Sequence, residues 1–295
     1  MSQPKLRFAI FGNVYQPKKS ASICDMLSCL SKYGAEVSID GEFYRFLVDT
    51  LHLDIKVDRV FEGNDFDADF VISMGGDGTF LKSAARVGEK NIPIVGVNIG
   101  RLGFLADVVP SEIDYCLSSL YAGDYKIYDR EVIEVSVENE NQAFHRYALN
   151  DVAVLKRDNA SMISIHASVN GDYLITYQAD GVIMSTPTGS TAYSLSNGGP
   201  IIVPGTNVFA LTAVAPHSLN VRPIVLSDKD EVTLQVESRN HNFLLAVDGS
   251  SERVTDGSRV SLRRAPYNIH VVKRFSENYF NTLRKKMMWG ADPRE

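Results

Sequence analysis

Apolar positions follow two rhythms along this chain. In the first 130 residues, short apolar runs alternate with stretches of helical spacing. "LRFAIFG" (6–12) is an apolar run closed by glycine, and in "SICDMLSCLSKYG" (22–34) Ile23, Leu27 and Leu30 recur at helical spacing before a stop at Gly34. "DADFVISMGG", "TFLKSAARVGE", "IPIVGVN" and "SEIDYCLSSLYAGD" continue the alternation, with Ser111 expected to cap the last helix. Such a pattern predicts parallel β-α-β units, that is, an α/β domain with a Rossmann-like parallel sheet buried on both faces.

After about residue 130 the helices drop out. "EVIEVSVE", "MISIHASV", "DYLITYQA", "NVFALTAVAP", "EVTLQVES", "FLLAVDG", "SRVSLRR" and "NIHVVKR" are short runs, several alternating at period two, and Asn170-Gly171 forms a hairpin signal between the second and third. These predict an all-β, sandwich-like C-terminal domain. Helical spacing returns at Tyr279, Leu283 and Met287, so a C-terminal helix is expected to pack back on the first domain. The expected division is residues 1–130 completed by 276–295, and residues 131–275.

Composition narrows the classes. A length of 295 residues exceeds the usual size of one hydrophobic core, and 44% apolar with 22% charged residues is ordinary globular composition. A formal net charge of -6 offers no footprint for neutralising a nucleic-acid backbone. Cys24, Cys29 and Cys116 contain no CxxC pair, which argues against a disulfide framework or a zinc site. No signal-peptide core and no run of about 18 apolar residues is present, so the expectation is a cytoplasmic protein without membrane or nucleic-acid partners.

Candidate chemistry sits in "VISMGGDGTFLKSAARV" (71–87). Gly75, Gly76 and Gly78, with Thr79, stand where a buried strand passes into a helix. Bare backbone at a helix N-terminus presents free amides to phosphate oxygens. GxxxxGK[ST] is absent, and so is GxGxxG, which excludes a P-loop and the dinucleotide fingerprint. The single carboxylate, Asp77, either takes a proton from an attacking hydroxyl or holds a divalent cation beside phosphates, and both roles suit phosphoryl transfer. A plain hairpin turn would need a second alternating strand after it, whereas the pattern that follows is helical. Ser190 lacks the GxSxG elbow of a serine hydrolase.

"GGDGT" resembles the turn of a kinase superfamily that spans NAD kinases, lipid kinases and phosphofructokinases. "VNIGRLGFL" (97–105), "LNDVAVLK" (149–156), "ADGVIMSTPTGSTAYSLSNGGPII" (179–202) and "APHSLNVRPIV" (215–225) stand with it in the order found in NAD kinases. On these motifs the chain resembles an NAD kinase from about Phe8 to the "YFNTLRKKMMWG" tail. The resemblance implies transfer of the γ-phosphate of ATP to the 2'-hydroxyl of the adenosine ribose of NAD, with Mg²⁺ or Mn²⁺, in a homodimer or homotetramer.

It also implies roles for single residues. Asp77 would be the proton acceptor and, with Gly78, lie against the substrate diphosphate. Lys82 falls where members carry a basic residue near the nucleotide, although Lys82 and Arg86 also read as an i, i+4 solvated pair. Asn150 and Asp151 match the pair that binds a ribose or part of the adenosine moiety. Asp180 matches the carboxylate that contacts the nicotinamide carboxamide. Thr188, Thr191, Ala192, Tyr193, Ser194, Leu195 and Ser196 match the adenine-recognising segment, Ala215 a small residue lining the same pocket, and Asp248-Gly249-Ser250 the closing edge of the NAD site. Gln178 departs from the basic residue, and Ser161 from the histidine, that some members carry at these positions. His217 reads better as a structural histidine than as a base. A lipid kinase of the same superfamily and a non-catalytic dinucleotide-binding protein are the alternatives. The first would call for a basic amphipathic helix that the sequence does not supply.

Overall fold

The structure is a computed structural model that describes residues 5–14, 20–100, 103–139, 143–157, 161–273 and 279–290. Arg101 and Leu102 of the "VNIGRLGFL" motif lie outside the described residues, as do residues 276–278 and 291–295 of the expected tail. The chain divides into two units, one of Met1–Asp129 with Ile269–Glu295, the other of Arg130–Asn268.

The first unit begins with β1 (Arg7–Gly12), α1 (Ser20–Lys32), β2 (Glu36–Asp40), α2 (Gly41–Arg45) and β3 (Arg59–Phe61). It continues with β4 (Phe70–Gly75), α3 (Asp77–Val87), β5 (Ile94–Asn98), α4 (Ile113–Ala122) and β6 (Lys126–Arg130). The strands form one sheet in the order β3-β2-β1-β4-β5, and β1 pairs in parallel with β2 on one side and β4 on the other. Every residue of β4 and of β5 is buried, as a central strand covered on both faces requires. The core gathers Phe8, Ile10, Ile72, Met74, Val95 and Val97 from the sheet with Ile23, Leu30, Leu117 and Leu120 from α1 and α4. Ser111 is not a helix cap: it lies inside a single 3-10 turn, Pro110–Glu112, where the Glu112 carboxylate accepts the Val109 amide.

The second unit contains β7 (Ile133–Glu138), β8 (Ala143–Ala148), β9 (Asp151–Leu155), β10 (Ile163–Val169), β11 (Asp172–Ala179) and β12 (Gly181–Ser185). After the short α5 (Tyr193–Ser196) come β13 (Val208–Val214), β14 (Ile224–Ser227), β15 (Val232–Glu237), β16 (Asn242–Val247), β17 (Ser250–Thr255) and β18 (Arg259–Arg264). They form two six-stranded sheets, β11-β10-β15-β18-β7-β8 and β14-β13-β12-β9-β16-β17. Alternate residues of both sheets, among them Ile133, Val135, Ile165, Leu234, Val152, Val182, Phe209 and Phe243, make one core, which is sandwich packing. Asn170 and Gly171 take φ of 52° and 88° at the β10–β11 turn, the left-handed pair that such a hairpin needs.

Two elements close the chain, β19 (Ile269–Lys273) and α6 (Tyr279–Met287). The run "NIHVVKR", read from the sequence with the β-rich domain, is parallel to β5 and lies between β5 and β6 in the first unit's sheet. Ile269, Val271 and Val272 are buried there. The second unit therefore ends before this strand, at Asn268. α6 packs on the first unit through Leu283, which is 1% exposed, and through Tyr279, whose ring lies 6.4 Å from that of Phe104.

Candidate active site

Strand order reverses between β1 and β4, and the crevice beyond the carboxyl ends of the strands at such a switch point is where open α/β sheets bind ligands. β4 ends at Gly75, and α3 starts at Asp77. The glycine-aspartate turn thus falls at this switch point.

The four residues of the expected phosphate loop divide in two. A Cβ on Gly75 would meet Thr79 Oγ1 at 2.1 Å, so Gly75 and Thr79 fill each other's space, and the Thr79 amide is used by the Gly76 carbonyl at 3.0 Å. A Cβ on Gly76 or Gly78 would meet nothing within 4 Å, and neither residue has the positive φ that would itself call for glycine. Packing and backbone thus leave their missing side chains unexplained, whereas close approach of a ligand explains them.

Asp77 is gripped by a loop. Its Oδ1 accepts the amides of Leu105 (3.0 Å) and Ala106 (3.1 Å), and Oδ2 accepts the amide of Phe104 (2.9 Å) and Lys286 Nζ of α6 (3.3 Å). Gly103 is glycine because a Cβ there would lie 1.9 Å from Asp77 Oδ1. Lys286 also sits 4.4 Å over the Phe104 ring. Three backbone amides and one ammonium thus fix the orientation of the Asp77 carboxylate. No group of three or more His, Cys, Asp or Glu converges to hold a metal among the described residues.

Further along α3 the pair at 82 and 86 separates. Arg86 is drawn to Asp40 (3.1 Å), to Asn64 (2.8 Å) and to the Gly63 carbonyl, and lies 5.3 Å over the Phe11 ring, so it ties the helix to its own unit. Lys82 is exposed.

The second unit brings its own candidates together. Asp248 takes the left-handed φ of 47° and accepts the amides of Leu149 (2.8 Å), Asn150 (2.8 Å) and Asp151 (3.1 Å). It therefore shapes the backbone of the Asn150–Asp151 pair. Burial, and then the neighbouring Asp248, push the Asp151 carboxyl up to about 7. Burial pushes Asp248 up as well, against the three amides that hold it down. Thr186 bonds the Leu149 carbonyl at 2.6 Å, and a Cβ on Gly189 would meet the Asn150 oxygen at 2.0 Å, so the Ser/Thr-rich turn lies directly on this pair. Ser185 pairs in register with Asp151, and the Oγ of Ser185 and Oγ1 of Thr188 are buried without a hydrogen-bond partner. Unmet hydroxyls beside buried carboxylates are what a polar ligand would satisfy.

In the segment 191–196, Tyr193 is 41% exposed and Ser196 is exposed, while Thr191, Ala192 and Leu195 are half-buried. Ser194 is fully buried, and its hydroxyl bonds with Thr212 Oγ1 at 3.1 Å. Ser190 is a structural hydroxyl that bonds the Pro187 carbonyl and the Ile202 amide. Asp180 pairs with Lys156 at 2.7 Å, and Gln178 bonds Ser164. Ala215 is exposed with φ of 43°, strain of the kind that collects at functional sites. His217 is exposed, and its backbone N–H donates to the Gln178 carbonyl. Lys156, Ser185, Gly103 and Lys286 lie inside the quoted motifs but were not singled out as site residues from the sequence. Only Gly103, as a glycine, left a local signal.

A carboxylate held at a glycine turn on the switch point of a doubly wound sheet, in a chain with a separate two-sheet unit, marks the phosphotransferase class with the glycine-aspartate-glycine turn. Family profiles described as ATP-NAD kinase N-terminal domain and ATP-NAD kinase C-terminal domain match residues 30–125 and 149–274. The NAD kinase of Bacteroides fragilis is 57% identical over 289 residues, covering 98% of this chain and all of that one. That of Porphyromonas gingivalis is 42% identical, covering 97% and 98%. Among solved structures, yeast NADH kinase complexed with NADH superposes with a TM-score of 0.88 at 22% identity, over 98% of this chain and 89% of that one. An NAD kinase from Archaeoglobus fulgidus in complex with ATP gives 0.73 at 24% identity, over 96% and 99%. The chain belongs to the NAD kinase family.

Proposed function

We propose that this enzyme transfers the γ-phosphate of ATP to the 2'-hydroxyl of the adenosine ribose of NAD, producing NADP. The observation that carries this reading is the turn: Gly76 and Gly78 open onto free space on either side of Asp77 at the switch point. Phosphate oxygens are received by first-turn amides of α3, and Asp77 takes the proton of the attacking hydroxyl. Of its four partners only Lys286 is a side chain, and it makes the longest contact, 3.3 Å to Oδ2. Proton acceptance is therefore assigned to Oδ2, with Lys286 turning from the carboxylate to incoming phosphate charge.

In the second unit, Asn150 and Asp151 offer amide and carboxylate to a ribose diol, Asp180 an acceptor to the nicotinamide carboxamide, and Thr188 its unmet hydroxyl to the adenine. The Tyr193 face supplies a stacking surface, and Ala215 the wall of the same pocket. Gly78 and Lys82 face the substrate phosphates. The divalent cation belongs to the ATP that brings it and not to the protein. Dimeric or tetrameric assembly and a cytoplasmic location are part of the same reading, and a light-scattering mass equal to one chain would refute the first.

A coupled NADP-formation assay with a panel of donors tests the activity. ATP, Mg²⁺ and NAD are expected to yield NADP, and no product from any donor refutes the reading. Asp77→Asn is expected to lose at least about a hundredfold in kcat. If that variant turns over near the wild-type rate, the base role falls.

A further inference from the structure

Asp77 is oriented by a loop that is not part of its own helix, so the question passes to what fixes the loop. Two strands do so. Along β5, the Asn98 amide donates to the Val108 carbonyl (2.7 Å), the Val108 amide to Gly96 (3.1 Å), and Asn98 Nδ2 to Ala106 (3.3 Å). A Cβ on Gly96 would meet the Ala106 Cα at 2.7 Å, so the loop lies flat on that strand. From β19, Lys273 Nζ lies 2.6 Å from Asp107 Oδ2 and 3.2 Å from the Leu105 carbonyl.

The Lys273 and Asp107 side chains are only 10% and 8% exposed. A buried ion pair is a weak source of stability, because the desolvation of both ions offsets most of their attraction, and an apolar pair of similar volume often serves as well. What a buried pair does fix is register. Here it fixes the peptides on either side of Leu105 and Ala106, whose amides point at Asp77 Oδ1. We propose that Lys273 and Asp107 are positioning residues for phosphoryl transfer: their ion pair holds the loop of residues 103–107 so that its amides aim the Asp77 carboxylate at the reacting hydroxyl. This rests on Asp77 being the proton acceptor. The ammonium that touches Asp77 itself is Lys286 of α6, so the two lysines act on the same carboxylate, one directly and one through the loop.

The test compares wild type, Lys273→Met, Lys273→Arg and the charge-free pair Lys273→Met/Asp107→Leu. Amide hydrogen exchange is read at Phe104, Leu105 and Ala106, with the β4 amides as an internal control for global stability. In Lys273→Met the three loop amides are expected to exchange at least about tenfold faster while β4 is unchanged. The kcat should fall roughly 10- to 100-fold, with KM for NAD and ATP within about threefold, the signature of a misplaced group and not of lost binding. Lys273→Arg should recover most of both. The charge-free pair should fold at least as well as Lys273→Met and still show the low kcat. Loop amides with wild-type protection, or a folded charge-free pair with wild-type kcat, would overturn the proposal. If Lys273→Met does not fold, the arginine variant and the charge-free pair carry the same comparison. A wild-type protein that makes no NADP would refute the kinase reading, and the exchange arm still decides whether the pair fixes the loop.

Discussion

Gly103 and Gly76 both border Asp77, and they are glycine for opposite reasons. A methyl on Gly103 collides with the carboxylate, whereas a methyl on Gly76 meets only open space. Gly103→Ala is thus expected to push Asp77 off its amides and cut kcat at least about tenfold, with KM little changed. Gly76→Ala should leave unfolding free energy within about 1 kcal/mol of wild type and raise the nucleotide KM, since the new methyl occupies space a phosphate needs. The reverse pattern in steady-state kinetics would contradict both assignments. Asp151 makes a separate prediction in pH. An aspartate titrates near 4 in an unfolded chain, whereas burial and Asp248 hold this one up to about 7 in the fold. Between those values the folded chain keeps a proton that the unfolded chain has released. Stability is therefore fully present below about pH 4 and is lost as pH rises through 7, by up to roughly 4 kcal/mol. Urea unfolding at pH 5 and pH 8 should show a smaller difference between the two for Asp151→Asn than for wild type. An equal difference would mean the carboxyl is not held protonated.

At the scale of elements, β4 and α3 were legible because a fully buried strand and an amphipathic helix each leave a local signature. The alternation of β7, β10 and β15 was legible for the same reason. The edge strands β8 and β17 were not: "AFHRYA" and "SSERVT" are exposed on most positions and carry no apolar period. β19 was read as a strand but in the wrong sheet, because a short apolar run buried on both faces is the same string in either. The hydrogen bonds that make the site leave no local trace at all. The amide bonds to Asp77 span 27 to 29 residues, the Lys286 contact spans 209, and the Lys273–Asp107 pair spans 166. α6 lies between these cases: its spacing named the helix through Tyr279, Leu283 and Met287, of which Leu283 is buried and Met287 is exposed, while Lys286 looked like one basic residue in a run of three. Leu283→Ala removes a side chain that is 1% exposed and is expected to weaken the helix's docking by about 2 to 5 kcal/mol. Amides of residues 279–287 should then exchange faster while those of β4 do not, and unchanged α6 protection would refute the docking role.

For the whole molecule, the decisive fact is that the chain leaves the first unit at Asp129 and re-enters it at Ile269. β19 fills a place between β5 and β6, so a chain ending at Asn268 would present the bare edge of β5 and separate it from β6. Such a chain is expected to keep a folded second unit, protected from proteolysis over 130–268, and to lose the first. A truncated chain whose residues 7–98 remain protected would refute this. The same arrangement governs the order of events on the ribosome. Every strand of the second unit can emerge and pair while synthesis continues, but the first unit, although it is made first, waits with an incomplete sheet until residue 273 has left the exit tunnel. Its apolar strands are then the nascent segments that most need a chaperone.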